Sequence, residues 1–139
     1  MRSLVLLALL FAFIGLSSST IYWKNAITMD PKKEMQSEID WVLQSIIDKD
    51  EKLYLELVQQ GSSIDWFLAD RKDNIKNIEI MEAKFMDENY ELVHGVGIVY
   101  GKNEKPFYIR LAMFKNGKSR TGYMIFDAVN CGDFKCGLN

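Results

Sequence analysis

The sequence predicts an α+β domain, with helices in its first half and a four-stranded antiparallel meander in its second. Three observations carry this. Apolar residues recur at helical spacing from Met35 to Leu68, they alternate with polar ones from Asn77 onward, and Asn116-Gly117 supplies a hairpin signal between two alternating runs. At 139 residues, 48% hydrophobic and 12% aromatic, the chain has apolar surface for a core and length for one domain. Its 17 basic and 19 acidic side chains leave a formal charge of −2. That gives no basic field for nucleic acid, and no nucleic-acid partner is expected.

The first helix is read from Met35, Ile39, Val42, Leu43, Ile46 and Ile47, a stripe with Glu38, Asp40 and Gln44 mostly off it. Asp48, followed three residues later by Glu51, resembles a capping box, so a second helix starts there and ends near Gly61. Ser62 or Ser63 can cap a third, short helix carrying Ile64, Trp66, Phe67 and Leu68. Trp41, Trp66 and Phe67 could line a ligand pocket, but at helical spacing they are expected in the core.

The first strand holds Ile78 and Ile80, then Met81, Ala83 and Phe85, so its apolar parity changes between residues 80 and 81. A β-bulge there keeps both sets on one face. After a turn at Asp87-Glu88-Asn89, the second strand puts Tyr90, Leu92, His94, Val96, Ile98 and Tyr100 on the core face. Gly95 and Gly97, on its other face, predict a bend or a close backbone approach. Phe107, Ile109, Leu111 and Met113 face the core on the third strand. With Asn116-Gly117 as a two-residue turn, Lys115 pairs with Lys118, Ile109 with Met124 and Phe107 with Phe126. The opposite face then gathers Tyr108, Arg110, Phe114, Tyr123 and Ile125. So many aromatics beside an arginine predict an interface, most simply a homodimer.

Residues 1–19 read as a signal peptide or a membrane anchor. Arg2 precedes an uncharged apolar run from Leu4 to Leu16, and Ser17 and Ser19 offer the small side chains needed for cleavage after Ser19. Counted on to Trp23, the uncharged stretch is also long enough to cross a hydrocarbon core of about 30 Å. Membrane contact through residues 4–23 is therefore expected if the segment is uncleaved. Residues 20–34 form a polar connector, residues 35–130 the domain, and residues 131–139 a cysteine-bearing tail. Cys131 and Cys136 are read as a disulfide loop, suited to an oxidising compartment. Closing so short a loop removes about 2 kcal/mol of unfolded-chain entropy. A zinc site would need further ligands, and the sole histidine, His94, is far away in sequence, so no metal and no cofactor are expected.

The helix Trp41 to Tyr54, pausing at Asp48, and the hairpin from Phe107 through Asn116-Gly117-Lys118 to Asp127 resemble those of small exported NTF2-like (nuclear transport factor 2-like) domains. In that family the last strand usually opens with a tryptophan after Gly-Lys, where this chain has Ser119-Arg120-Thr121-Gly122-Tyr123. The resemblance implies helices covering one face of the meander, and an acid/base site between sheet and helices in those members that are enzymes. His94 with Tyr90 or Tyr100 is the candidate for such a site, against the alternative of a hydrogen-bonded core histidine. Membrane-tethered assembly factors of the cytochrome oxidase assembly type share the helix-then-strand order. The function expected is a non-catalytic binding domain of the cell envelope, exported or tethered, contacting a second copy, an envelope protein or a small ligand. A pocket enzyme using His94 and a membrane-anchored assembly factor are the alternatives.

Overall fold

A computed structural model describes residues 29–138, so the signal or anchor segment lies outside the described residues. The described part is α+β: helices α1 (Pro31–Ile47), α2 (Glu51–Leu57) and α3 (Ser63–Arg71) precede strands β1 (Ile75–Phe85), β2 (Leu92–Gly101), β3 (Phe107–Lys115) and β4 (Tyr123–Gly132). The strands form one antiparallel sheet in the order β1-β2-β3-β4. Among the described residues no helix is long and apolar enough to cross a membrane.

Helix α1 starts inside the stretch expected to be connector. Asp30 caps it, accepting from the Lys32 and Lys33 amides, and Pro31 takes the first turn, where its missing N–H costs nothing. The next cap differs from expectation as well. Asp48 closes α1, and Asp50, not Asp48, caps α2 by accepting from the Leu53 amide. The reversal between them is made at Lys49, whose φ of 55° is left-handed. Ser62 caps α3 as expected.

One core joins Met35, Ile39 and Val42 of α1, Leu53 and Leu57 of α2, and Ile64 and Leu68 of α3 to one face of the sheet. The sheet contributes Ile78, Ile80, Val93, Val99, Ile109, Leu111, Met113, Tyr123 and Ile125. The β1 bulge falls between Ile80 and Glu82, leaving Met81 as the extra residue and returning Ala83 and Phe85 to the core face. Trp66 is 70% exposed on α3, Phe67 packs edge-on against Phe107, and Trp41 lies half-buried on α1, so the three do not form one cluster.

Two expected registers are corrected. On β2 the core face carries Val93, Gly95, Gly97 and Val99, which places His94, Val96, Ile98 and Tyr100 on the outer face. The glycines explain the inversion. A Cβ on Gly95 would run into Met35 Sδ, part of a flexible side chain, and one on Gly97 would lie 2.6 Å from the Glu79 carbonyl oxygen, where backbone meets backbone, so Gly97 above all must be bare for β1 to close on it. In the last hairpin Lys115 pairs with Tyr123, not Lys118. Residues 116–122 form a longer loop: Asn116 N–H donates to the Gly122 carbonyl at 2.8 Å, Lys118 N–H donates to Asn116 Oδ1 at 3.0 Å, and Gly122 takes φ 88°. That shift turns Tyr123 and Ile125 into the core, where they are 1% and 0% exposed.

Both edges of the sheet are closed near their middle. Gln36 of α1 donates to the Ile78 carbonyl at 2.9 Å and accepts from the Ile80 amide at 2.7 Å, as a neighbouring strand would. At β4, Val58 makes a parallel bridge to Ile125, and Ser63 Oγ accepts from the Ala128 amide while donating to Asp127.

Candidate functional site

The outer face of the sheet is assembled by alternation from three central registers. Val96 stands between Glu82 of β1 and Arg110 of β3, Ile98 is opposite Tyr108, and Arg110 is opposite Val129 of β4. Phe114 lies further along β3, its ring 5.4 Å from that of Phe126. Of the five residues expected at an interface, Tyr108, Arg110 and Phe114 share this face, half-buried, and Tyr123 and Ile125 do not. Arg110 has no ion-pair partner among the described residues, whereas Arg71 pairs with Glu104 and Arg120 pairs with Glu56 at 2.7 Å. A half-buried guanidinium among apolar side chains keeps its directional donors for a carboxylate or an aromatic face.

The C-terminal segment crosses this same face. Cys131 and Cys136 form a disulfide with Cα atoms 5.8 Å apart, closing the expected loop. Beyond β4, Lys135 Nζ reaches Glu82 on β1 at 3.2 Å, and Asp133 pairs with Lys105 at 3.4 Å. His94 Nδ1 lies 3.0 Å from the Leu138 carbonyl oxygen. A carbonyl only accepts, so His94 donates there and its tautomer is fixed with hydrogen on Nδ1. The loop holds Phe134 82% exposed.

The expected acid/base trio is not brought together. His94 is beneath the tail on the outer face. Tyr90 is not on a strand but in the β1–β2 turn with φ 59°, its ring centroid 4.8 Å from that of Phe85 and its carbonyl accepting from Tyr123 Oη at 2.8 Å. Tyr100 is at the far end of β2, opposite Asn77. Burial pushes the Tyr123 hydroxyl up to about 12, with Glu34, Asp87 and Glu38 adding to it.

The group that sequence reasoning missed is Glu38. It is 1% exposed in the core, and neither carboxyl oxygen makes a hydrogen bond. Burial raises its carboxyl well above the ordinary value; the nearby Thr121 hydroxyl offsets this in part and Glu34, one turn earlier, adds to it. Thr121 Oγ1 is already engaged by Ser119 Oγ at 2.9 Å and by the Tyr123 backbone. The loop bearing Thr121 is held to α2 by Arg120, whose Nε and terminal nitrogen meet both Glu56 oxygens. Burial therefore favours the protonated form of Glu38, beneath a loop that Arg120 holds in place. A signal for it existed: Glu38 is three residues after Met35 and four before Val42, on the buried stripe rather than off it.

A surface groove of about 520 Å³ runs along α1, lined by Lys33, Gln36, Ser37, Asp40, Trp41 and Gln44, and Glu38 is not among its walls. Among the described residues no cluster of three or more histidine, cysteine, aspartate or glutamate side chains is placed to hold a metal ion. No protein-family model, no curated protein and no solved structure matches the chain.

Proposed function

We propose that this chain is a non-catalytic binding domain of the cell envelope, exported or tethered by its N-terminal segment and built on an NTF2-like plan. Its contact surface is the outer face of the sheet, and the first partner is a second copy of the chain. The observation that carries this is Arg110, half-buried with Tyr108, Val96 and Val129 around it and no ion-pair partner among the described residues. Desolvated arginine and aromatic side chains contribute most of the energy at protein contacts. Contact by strand addition is disfavoured, because Gln36 and Val58 already occupy the sheet edges. The Cys131–Cys136 disulfide and the apolar run after Arg2 support an oxidising, exported setting.

Sedimentation velocity of the full-length chain tests this with Arg110→Glu. The wild type is expected to show concentration-dependent dimers, and Arg110→Glu to weaken them by roughly tenfold or more, as loss of a buried arginine anchor does. A wild-type chain that stays monomeric at every concentration, or an Arg110→Glu chain that dimerises equally well, overturns the reading. A charged residue at Tyr123 is not a usable test, since that side chain is in the core.

A further inference from the structure

We propose that residues 131–138 are a disulfide-locked strap over the outer face of the sheet, seated while Cys131 and Cys136 are joined and released when they are reduced. The inference rests on that face being the contact surface and adds that its β1–β2 side, away from Arg110, is covered while the disulfide holds. The segment leaves β4 at Gly132, opposite Tyr108, places Lys135 on Glu82 of β1 and ends with the Leu138 carbonyl on His94 of β2. It thus reaches across from one edge strand to the other. Val96, flanked by Glu82 and His94, is 0% exposed although it stands on the face away from the helices.

The individual contacts of the strap are weak ones. Both members of the Lys135–Glu82 pair are more than two-fifths exposed, as are Lys105 and Asp133, and such pairs contribute little. His94 adds a single hydrogen bond. The disulfide ties Cys136 back to the end of β4 and so removes most of the freedom that residues 132–135 would otherwise give up on seating. Reduction balances simply. A dithiol gives two electrons and two protons to the Cys131–Cys136 bond and leaves as its own cyclic disulfide, and the chain gains two thiols. The sequence holds no other cysteine to re-pair with. Freed, the strap uncovers Val96.

The sole histidine makes the seat readable. The 15N shifts of the two His94 ring nitrogens are read on the full-length chain, dilute enough to be monomeric and at a pH where the ring is neutral. In the oxidised chain the hydrogen is expected on Nδ1, held by the Leu138 carbonyl. Reduction with dithiothreitol, or Cys136→Ser, is expected to move it mainly to Nε2, as in a chain ended after Gly132 and in a free histidine. The same tautomer with and without the disulfide overturns the lock: Nδ1–H in both means the strap seats unaided, Nε2–H in both means it never seats. The shifts read the His94 ring in the monomer, and failure of the contact reading shows only in the sedimentation of Arg110→Glu.

Discussion

Glu38 is the residue whose surroundings depart furthest from water. Its carboxyl is buried without a hydrogen bond, and burial, with Glu34 adding, raises its proton affinity in the folded chain. A raised folded value means the folded state holds a proton that the unfolded state has lost, so the favourable share is complete below the unfolded value of 4.5 and is lost as pH climbs toward the raised one. Glu38→Gln removes this dependence. The variant is expected to gain on the wild type in urea midpoint as pH rises above the unfolded value of 4.5, and a pH-independent difference would contradict a buried carboxyl with raised proton affinity. Glu38 is legible from spacing, because it falls on the same stripe as Met35 and Val42, although the apolar pattern alone places it mostly off that stripe. His94 was misplaced for a different reason. β2 is apolar on both faces, with Val93 and Val99 inside and Val96 and Ile98 outside, so alternation carries no sign.

At the level of elements, what could be read was whatever a local pattern determines. The parity change at residues 80 and 81 located the bulge because a bulge is the one device that keeps Ile80 and Ala83 on the same side. The glycines of β2 predict a bend or a close backbone approach, but which of the two, and which face they bare, depends on Met35 of α1 and Glu79 of β1 arriving there. Gly97→Ala would press a methyl group against the rigid Glu79 carbonyl, and a loss of about 1–3 kcal/mol in chemical denaturation is expected. An unchanged midpoint would mean that β1 and β2 can slide apart at no cost. The last hairpin failed as a reading because Asn116-Gly117 opens a seven-residue loop whose shape is set at a distance, by Glu56 gripping Arg120. A two-residue turn leaves no room for that grip. The same loop decides that Tyr123 and Ile125 are core residues, which removed two of five expected interface positions and left Tyr108, Arg110 and Phe114.

For the molecule as a whole, the arrangement leaves one face of the sheet free of helices. Helices cover the inner face of the sheet, Gln36 and Val58 close its edges, and the outer face is left with Arg110 and aromatics under a disulfide-closed tail. The α+β class and the cysteine loop were legible in the sequence, since period and spacing determine them. The path of the tail over β2 and β1 was not, because it depends on side chains such as Glu82 and His94 meeting Lys135 and Leu138 from far along the chain. Hydroxyl-radical footprinting of the full-length chain at low and high concentration reads the location of the proposed contact directly. The labelling of Tyr108 and Phe114 should fall as concentration rises while that of Trp66, exposed on α3, stays constant; protection at Trp66 with none at Tyr108 would put the contact on the helices and contradict the account.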